Sequence, residues 1–302
     1  MRVFENAELP IKFSRGKRYI GGFNGSKNMQ DRWIEPMVER WVEGVEALAR
    51  VAKRFPHAAY AGLTACLQAE WQYLCRVVPD VGPLLEPIEI ALRERFIPAL
   101  LSLESQDVTD NFRKLLGQGV KQGGLAIRNP CEAAATLLET SMEATLLLSN
   151  ALVAGEELCI EAHKAAVRSA GAKSRKEKKD LEKGFLATMG LEGRKIAKRL
   201  ERMNETGSWL QSIPNRLDGT EMSQQEWHDN ISLRYGFRPK GLPDRCDGCL
   251  EGFTVEHGLS CKKGGFVGAR HDDARDEWAH LCASALTASR VCTEPDFFMV
   301  LV

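Results

Sequence analysis

The chain lacks three sequence features that would each indicate a class of protein: a net charge, a membrane-spanning apolar run and a signal peptide. Lysine plus arginine and aspartate plus glutamate number 41 each, so the 302 residues carry no net charge that favours nucleic acid or a membrane surface over the whole molecule. No apolar run reaches the roughly 20 residues that cross a bilayer. The N-terminal sequence MRVFENAELPIKF has neither the apolar run nor the cleavage site of a signal peptide. We therefore expect an intracellular protein, cytoplasmic or nuclear, without membrane contact.

Composition and cysteine usage indicate a folded protein of a reducing compartment. Hydrophobic residues make up 44% and charged residues 27% of the chain, enough for one sizeable core or two smaller ones. The nine cysteines are an odd number and unevenly spread, and no signal peptide is apparent. Six lie in apolar helical surroundings, where we expect small buried hydrophobic side chains: Cys66, Cys75, Cys131, Cys159, Cys282 and Cys292.

Apolar spacing predicts a mainly α-helical fold. Residues 1–25 are typical of a small β-hairpin with a turn at residues 14–16. Residues 26–155 carry apolar side chains every three or four positions, which predicts a helical, thumb-like bundle. Its first apolar stripe comprises Trp33, Met37, Trp41, Val45, Leu48, Ala52 and Phe55. Pro56 opens the second helix, Pro98 bends the third, and residues 131–152 form a mostly buried helix.

The rest of the chain divides into a polar linker and a cysteine-containing region. Residues 156–206 predict a long basic helical linker, and residues 207–302 a zinc-knuckle region with flanking helices, where Ser223 and Glu226 make a capping box. The linker's basic residues lie along phosphate or form a solvated face paired with acidic neighbours. They are Lys173, Arg175, Lys176, Lys178, Lys179, Arg194, Lys198 and Arg199.

The segment CDGCLEGFTVEHGLSC has the ligand spacing of a tetrahedral zinc site. A CxxC pair lets two sulfurs converge from one tight turn, and a histidine four residues before a cysteine shares a helical face with it. We predict a closed, structural Zn²⁺ site of CCHC type with no position for water. The expected ligands are Cys246, Cys249, His257 and Cys261. Alternatives are free cysteines in a loop, or Cys282 or His271 in place of one ligand.

Two other classes of function compete at this stage. The tryptophans at helical spacing form either a core or the anchors of a protein-interaction scaffold: Trp33, Trp41, Trp71, Trp209, Trp227 and Trp278. An exposed apolar patch would favour the scaffold. A thiol enzyme is the third hypothesis, with Cys246 or Cys249 as a nucleophile beside His257.

Several stretches together resemble one family. They are RYIGGFNGS, PHAAYAGLTACLQAEWQYLCRVVP, FIPALL, GGLAI, LRYGFRPKGLP and CDGCLEGFTVEHGLSCKKGGFVGARH. They are similar to the C-terminal half of reverse transcriptases of non-LTR retrotransposon-like elements that carry a cysteine-histidine knuckle before a restriction-like nuclease. The resemblance runs from about Arg18 to His271, and only the cysteine-histidine segment is a specific motif.

The resemblance implies roles for particular residues. The matching positions are Tyr19, Gly21 and Gly22 in a strand at the primer-grip end of the palm, Gly123 and Gly124 in a turn after the thumb, and Arg270 and His271 beyond the knuckle. Asp272 stands where this family often has asparagine. The implied partners are RNA or DNA, as a template-primer duplex held by the thumb, and other parts of a retroelement machinery. Arg270 and His271 join the expected nucleic-acid contacts.

Neither catalytic centre of that family is recognisable in the chain. The polymerase needs paired carboxylates on an aromatic-led strand turn to hold two magnesium ions. The only adjacent aspartates, Asp272 and Asp273, lie in a charged helical segment and predict a solvated face. Glu294 and Asp296 have no downstream acidic residue and lysine to complete a nuclease site. We therefore expect no enzyme, but a nucleic-acid-binding fragment or remnant of a reverse transcriptase.

Overall fold

A computed structural model describes residue 14 and residues 16–188, 207–263 and 266–285. It confirms a mainly α-helical fold with a small antiparallel hairpin near the N-terminus. The strands are β1 (Gly16–Tyr19) and β2 (Gly22–Gly25). The helices are α1 (Lys27–Ala52), α2 (Pro56–Ala61), α3 (Gln68–Val77), α4 (Glu86–Ala91), α5 (Ile97–Leu101), α6 (Asp110–Gly117), α7 (Pro130–Ala154), α8 (Ile160–Thr188), α9 (Gln224–Tyr235), α10 (Val255–Ser260) and α11 (Phe266–Ala285).

The chain divides into two compact units, Met1–Tyr235 and Gly236–Val302. This boundary lies after α9, whereas the sequence places the start of the last region at residue 207. The reason is Trp227 of α9, which is fully buried and donates from Nε1 to the carbonyl of Leu100 at 3.0 Å. The predicted capping box begins this helix: the backbone N–H of Ser223 donates to Glu226 at 2.7 Å, and that of Glu226 donates to the Ser223 hydroxyl at 3.3 Å.

Both strands of the hairpin lie within KRYIGGFNGS and its preceding glycine. Gly16 pairs with Gly25 and Tyr19 with Gly22, so the turn consists of residues 20 and 21 rather than 14–16. Both turn residues have positive φ, 44° at Ile20 and 78° at Gly21. A Cβ at position 21 would lie 2.5 Å from the hydroxyl of Tyr73. That hydroxyl donates to the carbonyl of Ile20, which fastens the turn to α3.

Helix α1 lies against α2, α4 and α5 and provides one side of the bundle core. Its buried apolar residues are Ile34, Val38, Trp41, Val45, Ala49 and Ala52. The predicted stripe shares Trp41, Val45 and Ala52 with this face, but Trp33 and Met37 are only half-buried. Apolar residues occupy two adjacent rows of this helix, so the 3.6-residue period alone fixes the buried face to within about one position.

Pro56 opens α2 as predicted, and π-helical turns join the short helices of the bundle. Gly62–Leu67 connects α2 to α3, and Leu92–Phe96 connects α4 to α5. Pro98, the second residue of α5, follows the second of these directly. Proline has no N–H and its ring obstructs the carbonyl four residues before it, so the wider turns accommodate Pro98 where a simple bend was predicted.

The glycine pair after α6 begins an irregular segment whose apolar side chains enter the core. Gly123 has φ 90°, and a Cβ at Gly124 would lie 2.1 Å from the carbonyl oxygen of Gln118. Leu125 and Ile127 are fully buried and form no strand among the described residues. Ala126 between them has φ 55°, so the predicted turn is present at GGLAI, but a strand or extended segment does not follow it.

Helices α7 and α8 form an antiparallel helical hairpin. Ala170 of α8 is buried, and Lys173 donates to Glu143 of α7. The prediction that residues 131–152 are mostly buried is wrong: of α7, only Pro130 and Ala134 are buried. The alanine- and leucine-rich composition of α7 predicts burial on most sides. The described residues cover only the N-terminal part of α7 and the face toward α8. The first part of the predicted linker thus packs along α7 instead of standing alone.

The other residues that were predicted to belong to the core differ in how far they are buried. Cys75 is buried and Cys131 and Cys282 are half-buried, but Cys66 and Cys159 are exposed, and Cys292 lies outside the described residues. Trp41, Trp71 and Trp227 belong to the core, whereas Trp278 is 69% exposed. None of the described helices combines the length and the apolar character of a membrane span.

Candidate metal centre

The second unit has a separate small core that contains the predicted ligands. Among its described residues, Cys246, Phe253 and Cys261 are buried, and Leu242 and Cys249 pack against them. Three of these five side chains are cysteines. The apolar contacts available to this unit are therefore few, and most involve sulfur.

The first two cysteines are positioned by a tight backbone turn. Arg245 and Gly252 form an isolated antiparallel bridge, and the N–H of Cys246 donates to the carbonyl of Glu251 at 2.8 Å. Within the turn the N–H of Leu250 donates back to the carbonyl of Cys246 at 2.8 Å. Leu250 adopts φ 64°, a left-handed conformation that few non-glycine residues take. The turn brings the thiols of the CxxC pair to one side.

The second pair of ligands comes from α10. The hydroxyl of Thr254 accepts from the N–H of His257 at 3.0 Å, which caps the helix at its start. Cys261 follows the last helical residue, and its N–H donates to the carbonyl of His257 at 2.8 Å. This bond spans one helical turn, so the imidazole and the thiol share a face.

The four predicted ligands converge. One ligand atom from each of Cys246, Cys249, His257 and Cys261 lies within 4.8 Å of every other. The sulfurs of Cys246 and Cys261 are 3.7 Å apart, and those of Cys249 and Cys261 are 3.8 Å apart. Nε2 of His257 lies 3.1 Å from the Cys249 sulfur. These residues can hold one metal ion between them.

Backbone N–H groups already stabilise negative charge in this cluster. Those of Cys249 and Gly248 hydrogen-bond to the Cys246 thiol and lower its pKa. At Cys249 the N–H of Glu251 acts in the same direction, but burial and the neighbouring thiols together raise the pKa. A cation bound between the thiols stabilises their thiolate forms and so opposes the raised pKa of Cys249.

Two residues that contact the cluster or its backbone could not be predicted from the sequence to lie there. Oε2 of Glu251 lies 3.7 Å from Nδ1 of His257, on the side of the ring away from the thiols. A carboxylate at this nitrogen favours the tautomer in which Nε2 is free to bind a metal. Arg238 hydrogen-bonds to the backbone on both sides of the cluster. Neither residue has a spacing that marks such a role, because both depend on how the turn folds.

The alternative ligands do not join the cluster. Among the described residues, the group that could hold a metal contains neither Cys282 nor His271. His271 is exposed, with Nδ1 3.6 Å from Asp272. Asp272 and Asp273 are exposed on α11, as expected of a solvated face.

The predicted nucleic-acid contacts that the structure describes differ in exposure and in pairing. Lys173 is paired with Glu143, and Lys178 is half-buried on the inner face of α8. Arg175, Lys176 and Lys179 are exposed on the same helix. Arg194, Lys198 and Arg199 lie outside the described residues. Arg270 is exposed on α11, where acidic residues alternate with basic ones.

Comparisons with protein-family models, with curated proteins and with solved structures found no match for this chain.

Proposed function

We propose that this protein is a nucleic-acid-binding module organised around a structural Zn²⁺ site and without a catalytic centre of its own. The observation that carries the proposal is the convergence of three thiols and one imidazole in the second unit. The resemblance to the knuckle-containing part of a retroelement reverse transcriptase points in the same direction. It suggests a fragment or remnant that holds a template-primer duplex for activities encoded elsewhere.

The distances suit Zn²⁺ in particular. A tetrahedral ion at about 2.3 Å from each sulfur places the sulfurs about 3.8 Å apart. The two measured separations, 3.7 and 3.8 Å, agree with this value. Thiolate and imidazole donors are also those that zinc prefers, whereas magnesium and calcium prefer oxygen. The donor types and the sulfur separations therefore fit zinc. Nε2 of His257 and the sulfur of Cys249 are 3.1 Å apart, shorter than the roughly 3.5 Å of a tetrahedral site, so the imidazole has to shift slightly when the ion binds.

Four protein ligands complete the coordination that structural zinc adopts. Catalytic zinc sites keep a position for water or substrate, which a Cys₃His set does not leave. The same arrangement argues against a thiol nucleophile, since Cys249, Cys246 and His257 face one another and Cys261 rather than a substrate cavity. We therefore assign the cluster a structural role.

The surface proposed to lie along nucleic acid is the exposed basic face of α8, formed by Arg175, Lys176 and Lys179. Unlike Lys173, these side chains have no ion pair with α7 among the described residues. Three neighbouring cations on one exposed helix suit a phosphate backbone, because each contact releases bound counterions.

Replacing Arg175, Lys176 and Lys179 together by glutamine should weaken binding to an RNA–DNA hybrid. The slope of log K against log salt should become shallower by roughly one unit for each phosphate contact that is lost. Fluorescence anisotropy across a salt series measures both quantities. The matched control replaces three exposed cations of α1 and its C-cap, Arg40, Arg50 and Lys53, in the same way. Equal affinity and slope in the two triple variants would refute this surface.

A second candidate function, a protein-interaction scaffold, has an observation of its own. The free end of the α7–α8 hairpin exposes large apolar side chains, which we call the apolar tip: Met142, Leu146, Leu152, Val153 and Ile160. Val153 is 89% exposed, and the stretch from Thr145 to Gly155 carries no charge. The same tip occurs on every copy of the chain, so two copies can bury it against each other.

The scaffold candidate predicts self-association through the apolar tip. Substituting Leu146 and Val153 by lysine should convert a concentration-dependent dimer into a monomer in sedimentation velocity experiments, because two charges would be buried without partners. Leu181→Lys is the control, since Leu181 is exposed on α8 outside the tip. A wild-type protein that stays monomeric at about 100 μM would refute self-association through the apolar tip, because any remaining association would be weaker than about −5.5 kcal/mol.

A further inference from the structure

Arg238 connects the two sides of the metal-binding turn. Its Nη1 donates to the carbonyl of Phe253 at 3.2 Å. Its Nη2 donates to the carbonyls of Leu242 and Pro243, at 3.1 and 2.7 Å. The carboxylate of Asp244 lies 3.4 Å from the same nitrogen. One planar guanidinium thus bonds three carbonyl groups of two different chain segments.

These two segments carry different halves of the ligand set. Leu242 and Pro243 lead into Cys246 and the CxxC turn, whereas Phe253 directly precedes the cap of α10, which carries His257. Because each segment leads into one ligand pair, a contact that fixes the distance between the segments also fixes the distance between the two pairs.

Little else among the described residues holds the segments together. The backbone contributes two hydrogen bonds between them, from Cys246 to Glu251 and from Phe253 to Asp244. A two-stranded pairing of this length is marginal by itself. Among the described residues of this unit, the buried ones are the predicted ligands Cys246 and Cys261 together with Pro239, Phe253 and Gly258. The guanidinium lies beyond the last backbone bond and closes the open end of the pairing.

We propose that Arg238 is a positioning residue that holds the two ligand pairs at metal-binding distance and thereby sets the affinity for Zn²⁺. The inference rests on the proposed metal site and extends it. Arginine suits this task because its planar fork donates in several fixed directions at once, which the single ammonium of lysine does not. The bonds are also charge-assisted, although the side chain is half-exposed.

Zinc affinity of the full chain tests the proposal. Each variant competes with a chromogenic chelator for Zn²⁺, and the release rate after adding excess chelator is recorded. In Arg238→Met the dissociation constant should rise by roughly 10- to 100-fold, the usual effect of losing an outer-shell partner. Arg238→Lys should recover part of that loss. Arg245→Met is the matched control, an exposed arginine next to the first ligand that loses the same charge.

Measurements at saturating zinc distinguish the positioning role of Arg238 from a purely structural role. At saturation, Arg238→Met should bind the same stoichiometry of metal as wild type and protect the amides of Cys246 and Phe253 from hydrogen exchange equally well. Affinity alone should differ. If Arg238→Met and Arg245→Met bind Zn²⁺ with the same affinity and release rate, the positioning role is overturned. A wild-type chain that binds no Zn²⁺ would overturn the proposed metal site and the role of Arg238 with it.

Discussion

Replacing Cys261 by serine is expected to abolish metal binding and to unfold the metal-binding turn while the helical bundle stays intact. Cys261 approaches the sulfurs of both Cys246 and Cys249, at 3.7 and 3.8 Å, so its loss removes a side chain that contacts two of the other three predicted ligands. It is also one of the three buried residues in the hydrophobic core cluster formed by the described residues of the second unit. Serine binds zinc poorly and is costly to bury without a partner.

The size of the effect follows from the small core. With so few buried apolar side chains among the described residues, this unit cannot offset the entropy of ordering its chain, and metal binding must supply the difference. In zinc-finger peptides this contribution is about 10–16 kcal/mol at neutral pH. We therefore expect chelation of the wild type to produce the same local unfolding as Cys261→Ser.

Metal content and amide exchange measure this prediction together. The wild type should contain one zinc per chain, and Cys261→Ser none. Amides such as Cys246 and Phe253 should lose protection in the variant, and amides of α1 and α3 should not. Cys66→Ser, at an exposed cysteine of the bundle, is the control. Full protection of the turn in metal-free Cys261→Ser would show that the fold of this unit does not depend on metal.

The convergence of Cys246, Cys249, His257 and Cys261 could be predicted from sequence because all four residues lie in one short segment. Spacing within such a segment fixes which side chains can converge, and the structure adds only the shape of the turn. Arg238 shows the limit of this reasoning. Its acceptors are backbone carbonyls of Leu242, Pro243 and Phe253, and a sequence does not display carbonyl groups.

Burial of helices was harder to predict than their existence. The helical pattern of residues 131–152 is real, but its exposure depends on which neighbours reach it. The same limit applies to α1. Its apolar pattern is compatible with two buried faces that differ by about one residue position. Local periodicity reports which side chains are apolar, whereas burial also depends on contacts between residues far apart in sequence.

Arg113 illustrates such a distant contact, and its replacement by methionine is expected to destabilise the bundle strongly. The side chain is 4% exposed and connects α6 to α4 and to the segment of residues 125–127. Nε and Nη2 donate to the two carboxylate oxygens of Glu89 at 2.7 and 2.6 Å, and Nη1 donates to the carbonyl of Ile127 at 2.7 Å. Removing it leaves the carboxylate of Glu89, whose side chain is 15% exposed, without its bidentate partner and the buried carbonyl of Ile127 without this donor. Breaking a largely buried pair of this kind typically costs about 3–5 kcal/mol.

The control is an ion pair at the surface that has one short contact instead of two. Arg93 lies 2.6 Å from Asp110, but both side chains are well exposed. Arg93→Met should therefore lower the free energy of unfolding by about 1 kcal/mol or less. Urea denaturation of both variants, followed by circular dichroism, compares them directly. A loss in Arg113→Met no larger than in Arg93→Met would refute the buried pair as a main support of the bundle.

The pH dependence of the stability gives an independent test, because the charge of Glu89 changes with pH. Burial raises the pKa of Glu89, while the bonds from Arg113 oppose this shift. Without Arg113 the folded-state pKa should rise further above the unfolded value. A carboxyl with a raised folded pKa favours folding below its unfolded pKa, and this stability is lost as the pH increases through the folded value. The deficit of Arg113→Met should therefore be largest near neutral pH and shrink below about pH 4, where Glu89 is protonated in both states. A deficit that is equal at the two pH values would mean that the penalty comes from packing around Arg113 and not from the unpaired charge of Glu89.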